Sequence, residues 1–218
     1  MWKILAMRTY FMGIGGLAMG NVAILAKQLG DKVLGSDTAF FPPLKAFLKD
    51  MEIYESYSAA RLQNLAPDCV VIGNSIGRGH EELEWFWSRK PFGYLSMPEF
   101  IRTRVIGNRP SVVVCGTHGK TTTTTLTAYL LKNSPLRQKT GWLIGGVPNP
   151  EDLPAGASLG ESDAPFVIEG DEYDSAFFDK RAKFISYTPT VAVLNNLELD
   201  HTDIYRDIDD LKRSFNHL

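Results

Sequence analysis

Two glycine-rich turns, each placed between a short apolar run and a helical pattern, constrain the fold of this chain more than any other feature. The first turn follows the apolar run at residues 10–14 and precedes apolar residues at helical spacing from 17 to 29. The second follows the continuous apolar run at 111–115 and precedes a helical pattern at 122–132. A strand, a tight turn and a helix in this order are typical of a parallel sheet with crossover helices. The sequence therefore predicts an α/β fold.

The length of the chain allows this pattern to form two domains. At roughly 100–200 residues per domain, 218 residues make one large domain or two small ones. A turn-rich segment at 107–110 separates the two glycine-rich turns, so we place a boundary there, between residues 1–107 and residues 108–218. Further strands are predicted at 32–37, 68–73, 142–144, 166–168 and 191–194, and a helix at 81–89.

The charge and the cysteine content exclude several classes of protein. The formal net charge is -2, so no basic excess points to a nucleic-acid partner. The two cysteines, Cys69 and Cys115, lie in predicted strands, which indicates buried reduced thiols rather than a disulfide framework or a metal cluster. No apolar run reaches the ~20 residues that span a bilayer, and Arg8 interrupts the apolar N-terminus. We therefore expect a cytoplasmic protein without membrane insertion.

The second glycine-rich turn, Gly116-Thr117-His118-Gly119-Lys120-Thr121-Thr122, is typical of a shortened phosphate-binding loop. Its glycines allow backbone N–H groups to turn toward an anion, and the helix that follows adds its positive N-terminal dipole. Lys120 can reach the β- and γ-phosphates of a nucleotide, and the Thr121 hydroxyl can ligate a Mg²⁺ ion that bridges them. The alternative is a turn without a ligand, which accounts less well for Gly-Lys-Thr at a strand-to-helix junction.

Polar side chains follow two more predicted strands at the points where these strands end. Residues 169–174 carry four carboxylates directly after the strand at 166–168, and residues 195–203 carry Asn, Asp and His after the strand at 191–194. Open α/β sheets bind ligands outside the carboxyl ends of their strands, and carboxylate oxygens suit Mg²⁺. A solvated acidic loop is the alternative for the first segment. With the phosphate loop, these strand ends predict a magnesium–nucleotide site.

The first glycine-rich turn, Gly13-Ile14-Gly15-Gly16-Leu17-Ala18, matches the dinucleotide-binding fingerprint with Ala at the last position. Asp37 ends the next predicted strand, near the position of an acid that binds ribose. Three interpretations stay open: a NAD-dependent dehydrogenase, a site for the diphosphate of another nucleotide such as a UDP-sugar, and a turn that serves only helix packing. The expected architecture is a Rossmann-like parallel-sheet domain followed by a P-loop-type α/β ATPase domain.

Four of these segments, in this order, resemble the motifs of the Mur ligase family. Residues 10–16 resemble the start of the family's UDP-binding domain, and residues 116–122 resemble its ATP loop. Residues 169–174 resemble its Glu-Ala-Asp-Glu-x-Asp motif with Gly170 in place of Ala, and residues 196–201 resemble its Asn-Ile-x-x-Asp-His motif with Leu197 in place of Ile. Within the family, further stretches resemble the members that recycle a murein peptide; these are residues 143–148, 174–181 and 194–198.

The resemblance implies an ATP-dependent amide ligase of peptidoglycan recycling. The reaction would join UDP-N-acetylmuramate to the tripeptide L-Ala-γ-D-Glu-meso-diaminopimelate through an acyl phosphate. The implied catalytic residues are Lys120, Glu169 and His201, and the implied metal ligands are Thr121, Glu169 and His201. Mn²⁺ should substitute well for Mg²⁺, because histidine is an atypical magnesium ligand. The implied ATP-binding set is Gly116, Thr117, His118, Gly119, Lys120, Thr121, Thr122 and Asn196. The UDP-sugar set is Gly13, Gly15, Gly16, Asp37, Asn74 and Ser75.

The resemblance also implies three domains, of which residues 1–107 correspond to the first and residues 108–218 to the opening part of the second. The amphipathic pattern through Ile208, Leu211, Phe215 and Leu218 predicts a helix that runs to the last residue without a stop signal. We therefore expect a truncated ligase that is inactive alone and retains UDP-N-acetylmuramate binding. The alternatives are UDP-N-acetylmuramate–L-alanine ligase, a NAD-dependent oxidoreductase and a non-catalytic nucleotide-binding module. The acceptor amine cannot be chosen from these residues, because the family's third domain binds it.

Overall fold

The computed structural model describes residues 6–134, 139–198 and 205–218. The chain divides into two compact units, and each unit consists of two separate segments of the chain. The first unit is Met1–Val105 together with Ser175–Lys180, and the second is Ile106–Asp174 together with Arg181–Leu218. A short segment from the second half of the chain therefore completes the first unit.

The first unit contains a five-stranded sheet in which every neighbouring pair of strands is parallel. Its strand order, β3-β2-β1-β4-β5, is that of a doubly wound α/β sheet. The strands are β1 (Arg8–Met12), β2 (Lys32–Ser36), β3 (Glu52–Tyr54), β4 (Cys69–Ile72) and β5 (Gly93–Ser96). The helices are α1 (Leu17–Gln28), α2 (Pro42–Phe47), α3 (Ala59–Leu65), α4 (Glu81–Arg89) and α5 (Met97–Phe100), and a π-helical turn follows at Ile101–Ile106. The predicted Rossmann-like sheet is confirmed.

Strand β1 buries side chains on both faces of this sheet. Tyr10 and Met12 belong to a core cluster with Leu34 of β2 and Val70 of β4, and all four are fully buried. Phe11 points to the opposite face, where its ring lies edge-on to Phe100 with the ring centroids 5.6 Å apart. Burial on both faces is the reason that these strands read as continuous apolar runs rather than as alternating ones.

A buried carboxylate ties helix α4 to the sheet of the first unit. Glu82 is 0% exposed and accepts hydrogen bonds from the Tyr10 hydroxyl at 2.8 Å, the Ser36 hydroxyl at 2.6 Å and the Ser58 backbone N–H at 2.9 Å. These three donors offset the large cost of removing a carboxylate from water. Burial, and next the Glu82 charge, raise the pKa of the Tyr10 phenol far above its ordinary value.

A hairpin from the second half of the chain packs within the first unit. Strands β10 (Asp174–Ala176) and β11 (Asp179–Ala182) form a two-stranded sheet, with Phe177 and Phe178 at its tip. The centroids of these two rings lie 4.7 and 5.4 Å from the Trp87 ring of α4, and the Phe178 ring lies 5.5 Å from the Tyr94 ring of β5. No strand was predicted for this segment, and the aromatic cluster explains why its tip belongs to the first unit.

The second unit contains another five-stranded sheet, with the order β12-β6-β9-β7-β8. All its neighbouring pairs are parallel except β7 with β8. The strands are β6 (Ser111–Cys115), β7 (Gly141–Leu143), β8 (Ala157–Ser158), β9 (Phe166–Glu169) and β12 (Val191–Leu194). The helices are α6 (Lys120–Lys132) and α7 (Ile208–Phe215), and a 3-10 turn spans Lys183–Tyr187. The three strands predicted to carry site residues, β12, β6 and β9, are therefore neighbours.

The buried guanidinium of Arg109, just before strand β6, stabilises the start of the second sheet through hydrogen bonds. Arg109 donates from Nε to the Ala164 carbonyl at 2.8 Å, from Nη1 to the Leu159 carbonyl at 2.8 Å and from Nη2 to the Pro165 carbonyl at 3.1 Å. Its guanidinium carbon lies 5.0 Å from the centre of the Phe166 ring. Burial lowers the pKa of Arg109 to about 10. The side chain thus joins the segment before β6 to the segment before β9.

Several predicted bounds differ from the structure of the second unit. Helix α6 begins at Lys120, two residues before its predicted start, because Gly119 adopts a left-handed φ of 77° and ends the loop there. Helix α7 ends at Phe215, so the prediction that it continues to Leu218 was wrong. Between residues 141 and 164 the sequence predicted one strand, at 142–144, whereas the structure contains both β7 and β8. Within the described ranges, no helix has the length and apolar character needed to cross a bilayer.

Candidate nucleotide site

The carboxyl ends of β6, β9 and β12 bring the predicted site residues of the second unit to one edge of its sheet. Leu194 of β12 pairs with Cys115 of β6, and Glu169 of β9 pairs with Val114. The phosphate loop, the acidic segment and the Asn195-Asn196 pair therefore leave the sheet at the same level. This edge is the position at which open α/β sheets bind their ligands.

The phosphate loop adopts a conformation that requires glycine at both ends. Gly116 has a φ of 125° and Gly119 a φ of 77°, values that side chains disfavour. A Cβ atom on Gly116 would also lie 2.8 Å from the Asn196 carbonyl oxygen. Helix α6 starts directly after Gly119, with no side-chain cap and no acidic residue in its first turn. Its N-terminal N–H groups and its positive dipole are thus available to an anion.

The segment that follows β12 fixes the shape of this loop. Asn196 accepts hydrogen bonds from the Thr117 N–H at its backbone oxygen (3.1 Å) and from the His118 N–H at its side-chain oxygen (2.9 Å). The Thr117 hydroxyl exchanges two further hydrogen bonds with the Glu198 backbone, each 3.0 Å long. The Asn195 amide donates to the Thr123 hydroxyl at 3.0 Å. The N–H groups of Thr117 and His118 are therefore engaged within the protein, which leaves those at the start of α6 for a phosphate.

Lys120 lies folded into the loop, where its ammonium group has several acceptors. The Nζ atom lies 2.7 Å from the Gly116 carbonyl oxygen and 3.1 Å from the Thr117 carbonyl oxygen. It also lies 3.0 and 2.9 Å from the two carboxylate oxygens of Glu172. The sequence pattern shows Glu172 only as one of four acidic residues and does not indicate this pairing, because 52 residues separate the two side chains.

Glu169 and Thr121 together provide oxygen atoms that suit a magnesium ion. The Thr121 hydroxyl donates to the Glu169 carboxylate at 3.2 Å, and the Gly145 N–H donates to the same carboxylate at 2.6 Å. Burial raises the pKa of Glu169, so a cation beside this partly desolvated carboxylate would stabilise its charged form. The donor set fits Mg²⁺, which takes few protein oxygens and completes its shell with water and phosphate. No group of three His, Cys, Asp or Glu side chains arranged for a metal occurs in the part of the chain that the structure describes.

Glycines beside this pair leave it room. A Cβ atom on Gly145 would lie 2.8 Å from a Glu169 carboxylate oxygen, and one on Gly146 would lie 3.1 Å from the Thr121 methyl carbon. Both glycines follow strand β7. In the sequence these two glycines are notable only as part of a stretch that resembles the family, and the geometry supplies a physical reason: any side chain at Gly145 would push the carboxylate away.

The remaining predicted residues of this site have different surroundings. Asp171 forms an ion pair with the buried Lys183, so its charge is neutralised within the protein. His118, Gly119, Thr121 and Thr122 are exposed at the loop surface. His201, predicted as a catalytic and metal-binding residue, lies outside the described residues.

A groove of about 630 Å³ adjoins the phosphate loop along helix α6. Thr121, Thr122 and Thr125 contribute its polar wall, and Leu126, Val147 and Pro148 are among its apolar residues. The groove thus starts at the residues predicted to bind phosphate and continues over a mainly apolar surface.

In the first unit, the ends of β1, β2 and β4 bring together the residues predicted to bind a UDP-sugar. The Gly13 N–H and the Ile14 N–H donate to the Ser36 carbonyl at 2.9 and 3.2 Å, and a Cβ on Gly13 would lie 3.7 Å from the Ser75 hydroxyl. Asn74 and Ser75 are exposed in the turn after β4. These positions adjoin one another, and their part in binding a nucleotide sugar stays a prediction.

Asp37 holds the glycine-rich turn of the first unit in place. Its carboxylate accepts hydrogen bonds from the Gly15 N–H at 2.9 Å, the Thr38 N–H at 2.7 Å and the Tyr57 hydroxyl at 3.1 Å. Gly16, by contrast, is exposed, and helix α1 after it has no side-chain cap and no acid in its first turn. The N–H groups from Gly16 onward are therefore better placed for a diphosphate than those of residues 13–15.

Comparisons with known proteins found one matching family model in each of the two units. Residues 8–101 match the family described as "Mur ligase family, catalytic domain", and residues 114–218 match the "Mur ligase middle domain". The UDP-N-acetylmuramate--L-alanyl-gamma-D-glutamyl-meso-2,6-diaminoheptandioate ligase of Escherichia coli (strain K12) is 44% identical over 97% of this chain, which covers 45% of that relative. The UDP-N-acetylmuramate--L-alanine ligase of Leuconostoc citreum (strain KM20) is 34% identical over 94% of this chain and 42% of the relative.

A solved structure agrees in fold over both units. The UDP-N-acetylmuramate:L-alanyl-gamma-D-glutamyl-meso-diaminopimelate ligase from Neisseria meningitides has a TM-score of 0.89 and 38% identity, with 98% of this chain and 68% of that chain covered. The chain spans less than half the length of the two curated relatives. These matches do not support the dehydrogenase alternative for the first glycine-rich turn. The sheet edges, the two glycine-rich turns and these likenesses lead to one conclusion: the chain belongs to the Mur ligase family.

Proposed function

We propose that this chain provides the nucleotide-sugar and ATP-phosphate sites of a ligase that joins UDP-N-acetylmuramate to L-Ala-γ-D-Glu-meso-diaminopimelate. The reaction consumes ATP, passes through an acyl phosphate and serves peptidoglycan recycling in the bacterial cytoplasm. The identity of 44% to a relative named for this tripeptide acceptor, against 34% to one named for L-alanine, supports the choice of acceptor. L-Alanine is the alternative acceptor.

One observation carries the ATP assignment: an uncapped helix α6 begins with Lys120 and Thr121, and the Thr121 hydroxyl lies 3.2 Å from the half-buried Glu169 carboxylate. The reaction requires a carboxylate to attack the γ-phosphorus of an anionic nucleotide, so positive charge must be placed between two negative groups. Lys120 and the N–H groups at the start of α6 would bind the phosphates. Thr121 and Glu169 would hold Mg²⁺, which when bound neutralises phosphate charge.

The residues of this chain would act mainly by positioning. Lys120 orients the phosphate chain, and Asn196 keeps the loop in its binding shape through the hydrogen bonds described above. The amine of the peptide then displaces phosphate from the acyl phosphate and forms the amide. In the first unit, Gly16 and the start of α1 would bind the diphosphate of the nucleotide sugar, while Asp37 keeps the turn in shape.

A pair of variants tests the two sites against each other. Lys120→Met should weaken MgATP binding at least tenfold and leave UDP-N-acetylmuramate binding unchanged, as measured by calorimetry on residues 1–218. Gly16→Val should do the reverse, because the side chain would occupy the diphosphate position. A Cβ on Gly16 would meet only the Gly13 carbonyl oxygen, at 3.9 Å, so the fold accepts the substitution. Wild-type protein that binds neither ligand, or a Lys120→Met variant that binds MgATP normally, would contradict the proposal.

A further inference from the structure

Glu172 lies where it competes with a nucleotide for the ammonium group of Lys120. Its two carboxylate oxygens lie 3.0 and 2.9 Å from the Lys120 Nζ atom. Both side chains are largely withdrawn from solvent, since 16% of the lysine side chain and 3% of the glutamate side chain are exposed. The attraction between two charges shielded from water in this way is much greater than in a surface pair, although the cost of removing both groups from water offsets much of it.

The carboxylate also has little freedom to move away. The Tyr205 hydroxyl donates to the Glu172 backbone oxygen at 2.9 Å, and Tyr205 is itself buried. The residue before Glu172 is held in place because the Asp171 carboxylate pairs with Lys183. The residue after it is held in place because the Tyr173 N–H donates to the same Asp171 carboxylate at 3.1 Å. The backbone around Glu172 is therefore fixed, so a ligand that draws Lys120 outward must separate the two charges of this pair.

A metal-free polyphosphate is a poor competitor at such a position. Binding of a nucleoside triphosphate brings several negative charges near Glu172, and their mutual repulsion is strong where water is excluded. A divalent cation bound to the phosphates removes part of that charge. Glu169 does not take part in the pair of Lys120 and Glu172, because its carboxylate contacts Thr121 and Gly145.

We propose that Glu172 is a built-in counter-anion for Lys120 that makes nucleotide binding depend on a divalent cation. This inference rests on the proposed ATP site and adds a selectivity residue to it. Glu172 keeps Lys120 inside the loop when no nucleotide is bound, and it disfavours triphosphates that arrive without a metal.

The test compares the affinities of MgATP and of ATP in EDTA for residues 1–218, measured by calorimetry. Wild-type protein should bind MgATP at least ten times more tightly than metal-free ATP. Glu172→Gln keeps the shape and a hydrogen-bond acceptor but removes the charge. It should raise the affinity for metal-free ATP about tenfold and change the MgATP affinity much less, since the repelled charge is greater without the cation. Glu172→Asp, which keeps the charge, should retain the wild-type preference.

Glu161→Gln is the matched control, because Glu161 is an exposed carboxylate of the same unit that pairs with Lys139. It should leave both affinities unchanged. The inference is overturned if Glu172→Gln weakens or does not change metal-free binding, or if Glu161→Gln has the same effect. Should Glu172→Gln fail to fold, Glu169→Gln decides, because it removes the proposed magnesium ligand and keeps Glu172: equal affinity of this variant for inorganic triphosphate with and without Mg²⁺ overturns the inference, and a remaining preference for the magnesium complex supports it. Absence of MgATP binding to wild-type protein would instead overturn the ATP site itself.

Discussion

Replacing Gly170 by alanine should destabilise the second unit by about 1–3 kcal/mol, the usual cost of overpacking a core. An added Cβ would lie 2.3 Å from the Cys115 Sγ atom, 2.9 Å from a Val113 methyl carbon and 3.1 Å from the Phe184 Cβ. Non-bonded carbon atoms prefer about 3.5–4.0 Å, so the contact with sulfur is too short by roughly 1 Å or more. All three neighbours are fully buried, so strands β6 and β9 must move apart to accept the methyl group.

The contact with the Cys115 sulfur atom should account for most of the steric cost of the added methyl group. A double-mutant cycle tests this. Cys115→Ala alone removes one buried atom and should cost about 1 kcal/mol. In combination with Gly170→Ala it opens the space that the new methyl group needs. The double variant should therefore be more stable than the sum of the single effects by about 1 kcal/mol or more. Residue 170 is glycine where the motif that it resembles has alanine, and the cycle tests whether Cys115 is the reason.

Hydrogen exchange read by mass spectrometry is the appropriate assay, because it reports on each unit separately. Peptides from β6 and β9 should exchange about fivefold faster or more in Gly170→Ala, while peptides from β1 should not change. Gly77→Ala serves as the control, because a Cβ there would meet nothing within 4 Å. Wild-type protection of β6 and β9 in Gly170→Ala, or strictly additive effects in the double variant, would refute the steric argument.

Three further substitutions test other parts of the two units. Arg109→Lys should destabilise the second unit by about 2 kcal/mol, because one ammonium group cannot reproduce three guanidinium hydrogen bonds to backbone carbonyls. Denaturant unfolding measures this loss of stability, and an unchanged unfolding midpoint would contradict the prediction. Gly145→Ala should weaken MgATP binding about tenfold by displacing the Glu169 carboxylate, while ATP in EDTA should be less affected in the same titration. Burial lowers the pKa of His80 below its ordinary 6.5, so the folded state resists a proton that the unfolded state accepts. The stability that the neutral histidine contributes should be complete above pH 6.5 and decrease below that pH. His80→Asn should remove this part of the pH dependence of thermal unfolding. A variant with the wild-type pH profile would disprove the prediction.

Local sequence patterns were sufficient to predict the elements that surround the site. The predicted bounds of α4 at 81–89, β6 at 111–115 and β12 at 191–194 agree with the structure residue for residue. These segments have an unbroken apolar run or a clear helical period, and turn residues bound them. The meeting of three strand ends at one sheet edge also followed from the sequence, since consecutive parallel strands end on the same side.

Side-chain pairing could not be predicted in the same way. Nothing local distinguishes Glu172, which pairs with Lys120, from Asp171, which pairs with Lys183. The partner of each acid depends on the direction in which the chain turns after β9, and that direction is set by packing. The buried Glu82 is a similar case, because its donors come from three segments up to 72 residues away. In sequence it resembles an ordinary acid in the first turn of a helix.

The hairpin at residues 174–182 has a consequence for synthesis of the chain on the ribosome. The first unit needs Phe177 and Phe178, yet about 75 residues separate Val105 from Lys180. At about 5–20 residues per second, translation of that interval takes roughly 4–15 s. During this time the emerging sheet of the first unit lacks Phe177 and Phe178, so the parts of the Trp87 and Tyr94 rings that these two side chains contact are uncovered. The nascent chain therefore passes through a stage with an open aromatic surface, of the kind that chaperones bind.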